Sequence, residues 1–462
     1  MTTSVTTDPR DSQNRFTAMP LAPAAIVFGA LVMRFLLLGS ESLWGDEAYS
    51  WFLARAELVE VWADGGNDLH HPPLYYTVLH LAMRMSDSEW MLRLPSAIAS
   101  TATVGLVFLT ANRLTRRSVA LLASILSALS PLDIWYAQEA RHAALGTMLF
   151  MLAVYGLVRR DRIGWVIATS GLFLGVFTYY IVLVAWFAVL GASLAFVHRR
   201  DYIRTWVLAT AVTAVVFIPV QGTHFLDGFD DLLSNIGEPT LAKVMSVIGS
   251  PVGILLLAAA GMTITAFLVR WVARRSNALL GAMIPLGFLF VTALAPLARL
   301  YTVKRIALVI WAPILILVAY ALASWLPRRL RKPIVGLALL ASFVGGMVSI
   351  FGVHKDDWRG AIAAINGGAD GADQTWAVVY PGPWGVAPYL YYGVETPLVY
   401  ETDPERYPDL ARSSDGDIWI VASRTPRDPV PSSGPEAWLD ENWDHVGTIE
   451  LHRLAVRRFS PP

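Results

Sequence analysis

Apolar runs of about 20 residues recur along this chain, separated by short arginine-rich loops. A helix of ~20 residues covers the ~30 Å of hydrocarbon in a bilayer. Inside that layer the chain must satisfy its own backbone N–H and C=O groups, so such runs fold as helices. The alternating short segments of a membrane β-barrel are missing. The expected fold is therefore an all-α polytopic membrane bundle. With 55% hydrophobic residues among 462, an ordinary soluble domain is excluded. A net charge of zero gives no footing for a nucleic-acid partner, and the lack of cysteine excludes disulfides and thiolate chemistry. Only four of the 36 basic residues are lysine, a bias that suggests a GC-rich bacterial genome.

The arginines set the orientation. They cluster at Arg113/Arg116/Arg117, Arg159/Arg160/Arg162, Arg199/Arg200/Arg204, Arg270/Arg274/Arg275 and Arg328/Arg329/Arg331/Lys332. The positive-inside rule puts all five loops in the cytoplasm of a bacterial inner membrane. The spans between them pair as 118–135 with 142–158, 163–178 with 181–197, 205–220 with 246–269, and 278–298 with 306–325. A further span, 333–353, carries the tail out. Pro20–Gly39 reads as an uncleaved anchor behind a polar, disordered cytoplasmic segment 1–17, and 94–112 follows it. Pro72–Met85 is short, carries His80 and Arg84, and has both ends outside. It is expected to lie half-inserted at the interface, giving about 11 crossings plus interfacial helices; a true span with one arginine loop reassigned is the alternative. The membrane domain is 18–353, with a large outer loop at 40–93 and smaller outer segments at Tyr136–Arg141, 221–245 and Arg299–Arg305.

Beyond His354 the composition shifts toward Asp, Gly, Pro and Tyr. Short β-like runs fall at Thr375–Tyr380, Pro397–Tyr400, Asp417–Ala422, Gly447–Leu451 and Leu454–Phe459, with a helix near Trp358–Ile365 and a hairpin at His452-Arg453. Residues 354–462 are thus expected to form a small extracytoplasmic α/β domain. It has no phosphate loop, metal motif or nucleophile elbow, and suits a lid or an acceptor-docking platform.

Candidate chemistry gathers at the outer mouth. Asp46 and Glu47 sit in Trp44-Gly45-Asp46-Glu47-Ala48-Tyr49-Ser50, just past the first apolar run. Carboxylates are costly near lipid, and one there can take a proton from an incoming hydroxyl. Helix capping or loop solvation is the plainer role. His70 and His71 precede Pro72-Pro73-Leu74-Tyr75-Tyr76; they suit a phosphate contact, or a divalent metal if other residues complete the site. Glu139 and Arg141 in Trp135-Tyr136-Ala137-Gln138-Glu139-Ala140-Arg141 either pair with each other or orient Asp46 or a sugar. Arg299, Lys304 and Arg305 flank Tyr301 on the face where cations should be scarce. They read as an anion site, or as snorkelling side chains. No Walker motif appears, so ATP hydrolysis is not expected, and no cofactor is required. A secondary transporter would place polar groups near mid-bilayer, which this chain does not.

In order and spacing, these motifs, with Arg93-Leu94-Pro95-Ser96-Ala97 and Lys355-Asp356-Asp357-Trp358-Arg359, resemble the GT-C membrane glycosyltransferases. The likeness covers residues ~20–360 and is greatest to the family 39 group, which includes protein O-mannosyltransferases and the aminoarabinose transferase of lipid A. It implies a polyprenyl-monophosphate sugar donor and a lipid, polysaccharide or protein hydroxyl as acceptor. It further implies Asp46 as general base with Glu47 beside it, His71 where some relatives hold the phosphate, and Arg299, Lys304 and Arg305 in the region that holds the lipid phosphate; Tyr75 is a further candidate for substrate or phosphate binding. Two departures bear on substrate identity. His71 stands where some relatives have lysine, and His142-Ala143 follows Arg141 where many have a bulky residue and tyrosine. A lipid-linked-sugar flippase without transferase activity and a silent scaffold are the competing classes.

Overall fold

The computed structural model describes residues 21–63, 71–183, 185–187, 189, 200–235, 303–368, 376–379, 386–393, 398–399, 416–423 and 435–462. The expected spans 246–269 and 278–298 and the segment 1–17 lie outside them. The membrane part begins with α1 (Leu21–Phe35), followed by the outer-loop helices α2 (Gly45–Ala54), α3 (Leu58–Ala63) and α4 (Leu74–Met83). The bundle continues with α5 (Glu89–Leu114), α6 (Arg117–Ala128), α7 (Pro131–Ala137), α8 (His142–Arg159), α9 (Arg162–Val176), α10 (Arg200–Asn235), α11 (Val303–Ser324) and α12 (Arg328–Phe351).

Among the described residues, four helices are long and apolar enough to cross a membrane, within α5, α8, α10 and α12. The helix at 72–85 reduces to α4, ten residues long. At 1.5 Å per residue it covers only ~15 Å, too little to span. Its C-terminal turn is tied to α2, with His80 Nδ1 2.9 Å from the Ala54 carbonyl.

One expected span is not a continuous helix. Residues 118–135 are a broken pair, α6 and α7, bent by 52°. The cause is local: Pro131 has no N–H to continue a helix and disfavours helical backbone at the residue before it. Ser130 accordingly adopts extended backbone and caps α7, accepting from Asp133 N at 3.2 Å. The carbonyls freed at the end of α6 are not left bare in the bundle. Arg34, fully buried on α1, donates to Ser127 O and Ala128 O, both at 3.1 Å. Elsewhere α8 and α9 pack backbone to backbone: a Cβ at Gly156 would lie 2.3 Å from Ala168 N, and one at Gly171 2.5 Å from Ala153 N. Small residues at such seams are what let membrane helices approach closely.

The described arginine-rich junctions, α5–α6, α8–α9 and α11–α12, share one end of the bundle, where Arg113 lies over the Tyr155 ring of α8. Arg116, between α5 and α6, donates to Ala323 O near the end of α11 at 2.8 Å. The opposite end carries the start of α5, the end of α7, the start of α8 and the end of α12, where α2 docks.

The tail is α/β. Helices α13 (Trp358–Gly368), α14 (Val386–Tyr392) and α15 (Pro435–Asn442) accompany strands β1 (Trp376–Val379), β2 (Leu398–Val399), β3 (Ile418–Ser423), β4 (Asp444–Leu451) and β5 (Leu454–Ser460). The sheet order is β2-β1-β3-β5-β4, parallel through β2, β1 and β3 and antiparallel beyond. The hairpin turns at His452-Arg453, with Arg453 at φ 62°. Trp358, Ile362 and Ile365 of α13 cover one face against Trp419, Val421 and Val456, while Leu439 of α15 meets Ile418, Ile420 and Phe459 on the other. Helices α14 and α15 had no counterpart in the sequence expectations.

Candidate active site

Asp46 and Glu47 occupy the first turn of α2, where the helix dipole favours negative charge. Successive helical side chains diverge by ~100°, so the adjacent carboxylates point to different places. Asp46 is 21% exposed at the mouth, and Glu47 is wholly buried.

Glu47 is saturated. Arg93 grips it with two hydrogen bonds, Nε to Oε1 at 2.8 Å and Nη2 to Oε2 at 2.9 Å. Ala140 N donates to Oε1 at 2.7 Å, and Lys355 Nζ to Oε2 at 2.9 Å. Trp44 N completes a capping box at 3.4 Å. Burial alone would raise the Glu47 pKa. The charges of Arg93 and Lys355, with the hydrogen bonds from Arg93 and Ala140, outweigh it and bring the pKa to about 2. Lys355 is shifted downward, by burial first and then by Arg93, against the pull of Glu47 and Glu139. Arg93 is held in turn by Leu38 O, Glu41 O and Ser42 O, each at 2.9 Å.

Asp46 has a different neighbour. Arg141, also buried, lies 3.8 Å away through Nη2, and its Nη1 donates to Asp46 O at 3.2 Å and to Ser50 Oγ at 3.0 Å. Arg141 Nη2 is also 3.2 Å from His71 Nε2. A guanidinium can only donate, so His71 Nε2 accepts and the ring carries its proton on Nδ1. In this arrangement His71 is a neutral imidazole and not a cation. Its ring lies 3.9 Å from that of His142, which is 4.5 Å from Tyr179. Tyr75 is fully buried beside the pair, 6.4 Å from His142 and 3.3 Å from Ser96 Oγ. Glu139, buried, accepts from Trp135 Nε1 at 2.8 Å.

A family profile described as dolichyl-phosphate-mannose-protein mannosyltransferase matches residues 70–222. Comparison with curated protein sequences found no match. Among solved structures, ArnT from Cupriavidus metallidurans is similar in its apo state, with TM-score 0.61 and 16% identity over 94% of this chain and 97% of that one. Its complex with undecaprenyl phosphate gives 0.59 and 15% over 96% and 98%. The oligosaccharyltransferase from Archaeoglobus fulgidus in complex with zinc and sulfate gives 0.57 and 13% over 86% and 67%.

The chain has the GT-C glycosyltransferase fold.

Within this GT-C fold the expected site residues divide into three groups. Asp46, Glu47, His71, Tyr75, Glu139 and Arg141 converge at one end of the bundle. His70, Arg299 and Tyr301 lie outside the described residues. Lys304 and Arg305 begin α11, and only their backbone is described. Arg93, His142 and Lys355 complete the cluster, although none was assigned a site role from sequence. Among the described residues, no three His, Asp or Glu side chains are grouped to hold a metal ion.

Proposed function

We propose that this chain transfers a sugar from a polyprenyl-monophosphate donor to an acceptor hydroxyl, with Asp46 as general base. The observation that carries the reading is the division of labour between adjacent carboxylates. Asp46 alone is open to the mouth, on a helix turn that Arg141 anchors. The relatives add support: one solved ArnT holds undecaprenyl phosphate, and one oligosaccharyltransferase from Archaeoglobus fulgidus holds a dolichol-phosphate.

In the proposed step the acceptor O–H gives its proton to an Asp46 carboxylate oxygen. The acceptor oxygen forms a bond to the anomeric carbon while the carbon–oxygen bond to phosphate breaks. Polyprenyl monophosphate leaves as an anion, which needs cations rather than a proton. Double displacement would need a second carboxylate as nucleophile, Glu47 or Glu139; with Glu47 saturated and Glu139 buried against Trp135, the single inverting displacement is favoured. Glu47 then positions rather than reacts. His71 contributes an N–H donor from Nδ1, and Arg141, Arg299, Lys304 and Arg305 are the cations proposed for the phosphate. No cofactor is required. The positive-inside rule puts the arginine end in the cytoplasm, so the site and the tail face outward. The acceptor is a lipid, polysaccharide or protein hydroxyl.

The test is a transfer assay. Purified protein is incubated with native membrane lipids and a panel of radiolabelled polyprenyl-phosphate sugars. Label on an acceptor with wild type and not with Asp46→Asn is the expected result. Equal transfer by both would remove Asp46 as base, and donor translocation without transfer would replace the enzyme by a flippase.

A further inference from the structure

Lys355 is the first lysine after the last span, and it is the second cation on Glu47. Arg93 already neutralises Glu47 through a bidentate pair. A second buried cation brings a further desolvation penalty, offset by Glu47 and Glu139. What it adds is connectivity. Its Nζ reaches Glu47 Oε2 at 2.9 Å and Gln138 O at 2.6 Å, and its backbone N donates to Glu41 Oε1 at 3.1 Å. Gln138 caps the C-terminus of α7, where carbonyls lack helical partners and the dipole is negative. One ammonium therefore joins the α2 loop, the α7–α8 turn and the start of the tail.

Neighbouring contacts make the same junction. Ser42 Oγ donates to Asp356 O at 2.7 Å, Leu43 N to Tyr392 Oη at 2.6 Å, and Tyr391 Oη to Asp87 O at 2.6 Å. Trp51 of α2 meets Tyr391 of α14 edge to face at 5.0 Å. The tail is thus built onto the helix that carries Asp46.

We infer that Lys355 is a positioning residue: it clasps the α2 loop to the C-terminal domain through Glu47, and so holds the Asp46 turn in its reactive place. The inference rests on the proposed function for its catalytic meaning, while the clasp itself can be tested without transfer. A shift of ~1 Å in a reacting group can cost roughly 10²-fold in rate.

The chain has no cysteine, so Ser50→Cys makes a unique thiol on the buried side of α2. In that background, Lys355→Met is compared with the control Asp356→Asn, at a half-buried neighbour that pairs with Arg453 and not with Glu47, in full-length protein. Methionine keeps the length of the side chain and leaves Glu47 paired with Arg93. Lys355→Gln, neutral but hydrogen-bonding, repeats the comparison if Met does not fold. The expected result is thiol labelling faster by about 10-fold in Lys355→Met, through local opening, with unchanged labelling in Asp356→Asn. In the otherwise wild-type chain, Lys355→Met should lower kcat roughly 10²-fold at constant donor KM. Labelling unchanged in Lys355→Met, or raised equally in both variants, overturns the clasp. If wild type transfers no sugar, the functional proposal fails while the labelling still decides Lys355.

Discussion

Two carboxylates one residue apart occupy opposite kinds of environment. Around Glu47 the protein is closed: both oxygens are used, and every partner is itself buried or fixed. Around Asp46 it is more open, with Arg141 alongside and part of the side chain exposed at the mouth. The comparison teaches that an acidic pair in sequence need not be a pair in function. A helix start separates the two by rotation, and packing then makes one a structural anchor and leaves the other, the proposed base, at the mouth.

The sharpest way to break this comparison is Glu47→Gln. It leaves Arg93 and Lys355 buried without a counter-charge, and a loss of ~3–5 kcal/mol is expected, read as a large fall in Tm in detergent. Asp46→Asn should move Tm little, within ~0.5 kcal/mol, because it removes no buried contact of this kind. It should instead lower transfer by ~10²–10⁴-fold. Equal loss of Tm in the two variants would refute the division.

Acid sharpens the same contrast. The Glu47 pKa is depressed from its ordinary 4.5 to about 2. Its contribution to stability is therefore full above the unfolded value and is lost as pH falls toward the folded one. Tm should stay flat at mildly acidic pH and drop between about pH 4.5 and 2 on this account. Glu47→Gln should remove that part of the acid slope, and a slope unchanged in the variant would show that other groups carry it.

His71 offers a smaller test of the open side. If Arg141 donates to His71, Asn at 71 can accept the same bond, whereas Lys places a cation against a cation. Donor KM should rise on the order of 10-fold for His71→Lys relative to His71→Asn, the cost of one charged hydrogen bond. The reverse order would mean that position 71 acts as a phosphate-binding cation. The smallest effect is expected from Ser42→Ala, which removes one bond between the loop and the tail: about 1 kcal/mol in thermal unfolding.

The apolar helices were legible because membrane crossing demands length and hydrophobicity together, and α5, α8 and α12 fell where those coincide. The hairpin at His452-Arg453 was legible because two apolar runs flank two polar residues. The break at Ser130-Pro131 carried its own signal, a capping serine before proline, but a wide hydropathy window averages it away. The Glu47 clasp was harder, since sequence order does not report distance and its members are 46 and 308 residues apart. One clue existed: in a chain with four lysines, Lys355 directly follows the last span. His142 registered as a departure from the family pattern, and only the fold placed it against His71.

The separation of 308 residues also orders events during synthesis. At ~5–20 residues per second, Glu47 is added to the chain roughly 15–60 s before Lys355. The loop that carries Asp46 is therefore translated, and its membrane helices inserted, well before its anchor can close. Any chain released before residue 355 holds the carboxylates but not the clasp. The clasp around Glu47 is thus a late contact, closed only once translation has passed residue 355.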